Sequence, residues 1–154
     1  MHRYFIELAY NGSEYNGWQI QPNAPSVQED INKALTLLLK QEINVTGAGR
    51  TDTGVHASFF VAHFDSNIEI PNTKALIDKL NRFLGKNIAI KDIYPVVPDA
   101  HARFSAISRT YKYYINKTKN PFTYPFAYRP HPLPDTRLMN EACELLLQYE
   151  DFTS

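Results

Sequence analysis

The series of strand and helix patterns along residues 3–97 leaves few folds open to this chain. In order, the patterns are a strand at about 3–10, a helix at about 26–40, strands at about 43–46 and 56–64, a helix at about 73–84 and a strand at about 88–97. The first helix is marked by a capping box at residues 26–29 and by Ile31 and Leu35 at helical spacing. This β-α-β-β-α-β order predicts an α+β, ferredoxin-like unit, in which two helices cover one face of an antiparallel sheet. The other face is then free to line a cleft.

After Pro98 the pattern begins again but covers only part of a second unit. The remaining patterns are a strand at about 103–116, a loop rich in proline and aromatic residues at 121–134 and a helix from about Thr136 to Tyr149. One strand and one helix cannot bury both of their apolar faces. We therefore expect a complete ferredoxin-like domain at residues 1–99 and the first part of a second one at 100–154, truncated within a longer protein.

Composition limits where the protein works. No apolar run approaches the roughly 18 residues of a membrane-spanning helix. Residues 1–4 enter a strand without the pattern of a signal peptide. The single cysteine, Cys143, excludes a disulfide within the chain, which fits a reducing cytoplasm. We expect a cytoplasmic protein without a membrane segment, in which Cys143 is a small core residue.

The net charge of zero conceals an uneven distribution. Residues 100–137 hold 7 Lys and Arg against 1 Asp, whereas residues 1–99 hold 9 Lys and Arg against 11 Asp and Glu. The basic segment also contains aromatic side chains at Tyr111, Tyr113, Tyr114, Phe122, Tyr124, Phe126 and Tyr128. Cations interleaved with aromatic rings suit phosphate contact and base stacking, which favours an RNA partner. A solvated strand face with ordinary core aromatics is the alternative.

The run GAGRTDTGVHA at residues 47–57 indicates a stiff turn between two strands. Its glycines permit a positive φ or the close approach of another backbone, and it presents Arg50 and Asp52 two residues apart. It matches neither a dinucleotide-binding fingerprint nor a P-loop, because the required glycine, lysine and hydroxyl positions are occupied by other residues. An arginine favours the ionised form of a neighbouring aspartate and holds its orientation, as a catalytic carboxylate requires. A surface turn with a weak ion pair is the alternative.

Three further sequence blocks accompany the glycine run. They are YNGSEYNGWQIQ at residues 10–21, HARFSA at 101–106 and RTYKY at 109–113. Together with GRTDTGVHA at residues 49–57, these blocks resemble, in order and spacing, the signatures of the TruA family of tRNA pseudouridine synthases. Those signatures are Y-D-G-T-x-Y-x-G-W-Q-x-Q, G-R-T-D-x-G-V-H-A, H-A-R-F-S-A and R-x-Y-x-Y. Asn11 and Ser13 are mild departures. The resemblance covers most of the chain and the first part of a family member.

The resemblance implies two similar ferredoxin-like domains around a central cleft, in a homodimer. It also implies conversion of uridine to pseudouridine in tRNA without a cofactor, at positions 38 to 40 of the anticodon stem-loop. Asp52 corresponds to the catalytic carboxylate, which attacks C1′ or C6 or removes a sugar proton. Tyr111 matches the active-site tyrosine, expected to stack on uracil, with a packed strand tyrosine as the alternative. Arg50 is expected to orient Asp52 or to fill the gap left by the flipped base, or else to be a structural turn arginine.

Two other functions stay open beside the isomerase. The first is a non-catalytic RNA-binding module of the same fold, since we expect Arg103, Arg109 and Lys112 to contact RNA. The second is a glycoside hydrolase, which normally needs two acidic groups in one site. The turn offers only Asp52, and this weighs against hydrolysis.

Two histidines and one tryptophan are expected to have structural roles. His56 and His63 flank one strand, but a spacing of seven puts them on opposite faces and no Cys cluster lies nearby, so we expect no metal site. His56 is expected to support the glycine turn. Trp18 is expected to anchor its glycine-rich loop, with RNA contact as the alternative.

Overall fold

A four-stranded antiparallel sheet with two helices forms the N-terminal part of the chain in the computed structural model, which describes residues 1–151. The elements are β1 (His2–Tyr10), α1 (Val27–Leu39), β2 (Thr46–Gly47), β3 (Ala57–Ser66), α2 (Thr73–Phe83), β4 (Ile88–Val96) and α3 (Thr136–Leu146). The strand order is β2-β3-β1-β4, and every neighbouring pair is antiparallel. The predicted β-α-β-β-α-β unit is therefore confirmed, with β2 shorter than expected.

The core lies between the helices and one face of the sheet. Alternate residues of β1 are buried, because successive side chains of a strand point to opposite faces. Ile6 and Leu8 are fully buried, and they share one apolar cluster with Ile31 and Leu35 of α1 and Leu80 of α2. None of the helices in residues 1–151 is both long enough and apolar enough to cross a membrane.

Helix α1 begins where the capping box predicts. The Ser26 Oγ accepts a hydrogen bond from the Glu29 backbone N–H at 3.3 Å, which satisfies one of the unpaired donors of the first turn. Asn72 does the same for α2, since its Oδ1 accepts from the Ala75 N–H at 2.9 Å. Both helix starts were therefore readable from local sequence.

The predicted strand at 103–116 is wrong. Its only ladder contact among the described residues is an isolated bridge between Ile115 and Tyr128. A strand forms only where a neighbouring backbone offers hydrogen-bond donors and acceptors along its length. Among the described residues, the segment at 103–116 has such a neighbour at one bridge only. The prediction of Cys143 as a core residue is also wrong, because Cys143 is exposed, like the rest of α3. Helical spacing of apolar residues predicts that a helix forms, but it does not predict which other element buries the apolar face of that helix.

The chain divides into two compact units, residues 1–108 and a second unit that starts at Arg109. The division falls later than the boundary expected at 99, because Ala100 and Ala102 are hydrogen-bonded to Arg3 and His63 of the sheet in the first unit. The interpretation as one complete and one partial ferredoxin-like domain stays a prediction.

Candidate active site

The loop between β2 and β3 presents Arg50 and Asp52 at its exposed tip, with Thr51 half-buried between them. Residues 50–53 form one side of an open cleft of about 510 Å³. Asn16 and residues 19–21 form the other side. The carboxylate that the sequence singles out therefore lies at a concave surface large enough for a nucleotide base.

Backbone hydrogen bonds tie this loop to the segment after β1 on both sides of Asp52. The Trp18 N–H donates to the Thr51 carbonyl at 3.2 Å, and the Gly54 N–H donates to the Tyr15 carbonyl at 3.2 Å. The hydroxyls of Tyr10 and Thr51 lie 2.9 Å apart. Because both flanks of Asp52 are held, the loop is a fixed platform for its carboxylate.

Two glycines let the two loops come into direct contact. A Cβ on Gly12 would lie 2.1 Å from the Val55 carbonyl oxygen, and a Cβ on Gly17 would lie 2.1 Å from that of Thr51. Gly17 also has φ +90°, which L residues rarely adopt. Both glycines of the YNGSEYNGWQIQ block are therefore needed for the support of the loop that carries Asp52.

Trp18 anchors its loop, as expected. Its ring is 2% exposed and lies 4.3 Å from the Phe60 ring and 6.2 Å from the Tyr10 ring, measured between centroids. A Cβ on Gly47 would lie 2.5 Å from the indole, so the indole occupies the space that a side chain at Gly47 would need. The buried Trp18 ring therefore packs against Gly47, where the loop that carries Asp52 begins.

His56 supports the turn, as expected, because its Nδ1 accepts from the Gly12 N–H at 3.1 Å. The Tyr15 hydroxyl donates to the Asp30 carboxylate at 2.8 Å, which joins the same loop to α1. Burial and this carboxylate raise the pKa of Tyr15 above its ordinary value. Within residues 1–151, no group of three His, Cys, Asp or Glu side chains is arranged to hold a metal ion.

Arg50 and Asp52 do not form the expected ion pair in the described part of the chain, where the ion pairs involve other residues. Both side chains lie at the exposed tip of the loop, and water screens the attraction between exposed charges. The Asp52 carboxylate is therefore open to the cleft instead of being occupied by its neighbour. This arrangement supports Arg50 as a group that acts on the ligand and weakens its role in orienting Asp52.

Arg103 lies close to Arg50, which the sequence did not predict. Both arginines line a second cleft of about 150 Å³, next to Trp18 and Gln28. The Arg103 guanidinium also lies 5.8 Å from the centre of the Phe104 ring. Gln19 and Arg50 line both clefts, so the second cleft adjoins the one at Asp52.

The remaining predicted site residues, Arg109, Tyr111 and Lys112, belong to the second unit and are exposed there. The aromatic side chains of this basic segment, which the sequence left as either core or surface residues, are exposed as well, by 52% to 90%. The alternative that they are ordinary core aromatics is therefore wrong for the described residues. Their rings are accessible for stacking.

Similarity to curated relatives agrees with the four motifs. The chain is 52% identical over 154 residues to tRNA pseudouridine synthase A of Parabacteroides distasonis and 53% identical over 154 residues to that of Bacteroides thetaiotaomicron, covering the whole chain in both cases. It is 40% identical over 156 residues to tRNA pseudouridine synthase A of Francisella tularensis subsp. tularensis, again over the whole chain. No protein-family model matches the chain.

This chain belongs to the tRNA pseudouridine synthase A family. It spans 61%, 57% and 60% of the lengths of the three relatives named above. The TruA resemblance drawn from the motifs is thereby confirmed. Residues that the motifs alone did not single out, Asn16 and Gln19 in the cleft, lie within the YNGSEYNGWQIQ block of this TruA-family chain. The sequence pointed to Asn16 and Gln19 only through their position inside this block.

Proposed function

We propose that the protein isomerises uridine to pseudouridine in tRNA, at positions 38 to 40 of the anticodon stem-loop. The observation that carries the proposal is the Asp52 carboxylate, exposed at a cleft on a loop held from both sides by the segment after β1. The names of the relatives support the reaction class and the tRNA substrate. The exposed basic and aromatic segment at residues 109–128 supports an RNA partner.

The reaction breaks the N1–C1′ bond of uridine and joins C5 to C1′. The proton on C5 is lost and N1 gains one, so the conversion is an isomerisation that calls for no oxidant, reductant or cofactor. Asp52 starts the reaction in one of three ways, by attack on C1′, by addition to C6 or by removal of a sugar proton. Each route needs an unpaired carboxylate at a cleft that admits a flipped nucleotide. The open Asp52 site meets this requirement.

Four other residues have roles in the proposal. Arg50 stands beside the flipped nucleotide, because it lines the cleft at Asp52. Tyr111 stacks on the detached uracil and assists removal of the C5 proton. Arg109 and Lys112 contact phosphates, as cations in an RNA-binding segment do. These contacts predict an affinity for tRNA that falls with rising salt.

We also propose that the protein acts as a homodimer in the cytoplasm. The free thiol of Cys143 supports a reducing compartment. The dimer rests on the TruA resemblance and is tested by the molar mass of the full-length protein in solution. A molar mass of one chain would contradict it.

The experiment for the proposed function is tritium release from tRNA labelled at C5 of uridine, with nucleoside analysis of the product. We expect stoichiometric release and pseudouridine from the full-length protein. A control tRNA with cytidine at positions 38 to 40 should show neither.

Free uracil and an abasic sugar in place of pseudouridine would indicate a hydrolase. Tight tRNA binding with no release would indicate an RNA-binding module, the second function that the exposed basic segment favours. Either result would overturn the isomerase.

A further inference from the structure

Residues 100–105, hereafter the Arg103 turn, form a locally closed loop. The His101 Nδ1 accepts from the backbone N–H groups of Arg103 at 3.1 Å and Phe104 at 3.3 Å. The Ser105 Oγ accepts from the His101 N–H at 3.0 Å, and the Ser105 N–H donates to the His101 carbonyl at 2.8 Å. These four bonds fix the backbone that carries the Arg103 side chain.

Two hydrogen bonds fasten this turn to the sheet. Arg3 of β1 donates from Nη1 to the Ala100 carbonyl at 3.1 Å. His63 of β3 accepts from the Ala102 N–H at 3.1 Å through its Nδ1. His63 and Ala102 are 6% and 4% exposed, so water cannot readily replace the second bond.

Arg3 is itself held by Asp65. Its Nε and Nη2 donate to the two carboxylate oxygens of Asp65 at 2.8 and 2.7 Å, a bidentate pair between partner positions of β1 and β3. The fork leaves Nη1 directed at the Ala100 carbonyl. Asp65 therefore places the donor that holds the first residue of the Arg103 turn.

His63 holds the turn only when its Nδ1 carries no proton. Burial lowers its pKa to about 4, and the charged or titratable groups that act on it are Arg3, His101 and Asp65. The imidazole is therefore neutral at the pH of an ordinary assay. Its acceptor is available under the conditions in which the protein binds RNA.

The Arg103 turn delivers a second guanidinium to the cleft that Arg50 lines. The lining of that cleft, taken from residues 1–151, contains no acidic side chain. Two planar guanidinium groups at one cleft are suited to a phosphate group, which each can bind in bidentate fashion. The neighbouring cleft at Asp52 shares Arg50 and Gln19 with it.

We propose that His63, Arg3 and Asp65 are positioning residues that hold Arg103 beside Arg50, so that the two arginines form one subsite for an RNA phosphate next to the Asp52 cleft. The proposal rests on the proposed function for the identity of the ligand. None of the three positioning side chains is among the described residues that line the cleft, so they act on RNA through Arg103.

The test compares His63→Phe with His63→Asn in the full-length protein. Phenylalanine keeps a ring and removes the acceptor, whereas the asparagine Oδ1 takes the place of Nδ1. We expect His63→Phe to weaken binding of an anticodon stem-loop RNA about tenfold. The slope of log K against log[salt] should fall by about one, as it does for Arg103→Ala. His63→Asn should restore both the affinity for the RNA and the salt slope.

The double variant His63→Phe with Arg103→Ala should bind no more weakly than Arg103→Ala alone, because both changes remove one contact. Additive losses, or weaker binding with an unchanged salt slope, would overturn the proposal. If His63→Phe does not fold, Asp65→Asn gives the same comparison, since it releases Arg3 and leaves His63 intact. These readouts use binding alone, so they remain informative if the isomerase activity fails its own test.

With an active enzyme, the KM for tRNA should rise about tenfold in His63→Phe while kcat at saturating tRNA stays within about twofold. A fall in kcat at unchanged KM would also overturn the positioning role. This split separates the loss of one phosphate contact from general damage to the fold.

Discussion

Replacement of Gly17 by alanine should damage catalysis more than stability. The new Cβ would lie 2.1 Å from the Thr51 carbonyl oxygen, a distance below 3.0 Å that real Cβ atoms essentially never show. The Gly17 and Thr51 segments must therefore move apart by about 0.9 Å, and any part of this shift taken up by Thr51 displaces Asp52, the next residue. A misplacement of about 1 Å in a catalytic group costs on the order of 10²-fold in rate. We expect kcat to fall by roughly that factor.

The stability cost of the same change is more modest. A side chain at φ +90° costs about 1–2 kcal/mol, and the loop shift adds strain of similar size. Gly54→Ala is the matched control, because Gly54 has φ +78° but a Cβ added there would meet nothing within 4 Å. It should lose about 1–2 kcal/mol of stability with a much smaller loss of kcat.

The assay is tritium release at saturating tRNA, with the free energy of unfolding measured on the same samples. Gly85→Ala, also without a close neighbour, should be close to neutral in both. Wild-type kcat in Gly17→Ala would refute the reasoning, and so would an equal loss of kcat in Gly54→Ala. In either case the contact between Gly17 and Thr51 would not control the position of Asp52.

Three further outcomes follow from packing, capping and titration. Trp18→Ala should lower the free energy of unfolding by roughly 3–5 kcal/mol, because the ring is 2% exposed; a loss below about 1 kcal/mol in urea unfolding would contradict the anchoring role. Asn72→Ala should cost about 1 kcal/mol through the lost cap of α2, and Asn72→Asp should restore most of it. The His63 pKa is lowered from its ordinary 6.5 to about 4, so the unfolded chain binds more protons between these values, and stability is fully present above about 6.5 and falls as the pH drops towards 4. We expect this contribution to the free energy of unfolding to be on the order of 2 kcal/mol; an identical pH dependence of unfolding in His63→Asn would contradict it.

Local signals in the sequence were sufficient for the first unit. The Ser26 cap, the apolar spacing at Ile31 and Leu35, and the alternation along residues 3–10 each depend on neighbours in the chain, and the structure confirms the helix and strand that they predict. The role of His56 also followed from its place beside the glycine turn.

The remaining features depend on contacts between distant residues. A strand at 103–116 needs a paired neighbour, and no local pattern reports whether one is available. The approach of Arg103 to Arg50 depends on bonds from Arg3 and His63, which are far apart in sequence. Gly17 was visible as part of a motif, but only the structure shows that the Thr51 carbonyl occupies the space of its missing side chain.

The central claim is that Asp52 performs the chemistry and does not bind the RNA. The most direct test measures kcat and tRNA affinity side by side for the full-length protein and its Asp52→Asn variant, which keeps the size of the side chain. The account predicts a loss of activity on the order of 10⁴-fold or more, with affinity within about twofold of the parent. Retained activity, or a loss of affinity by the same factor as activity, would contradict it.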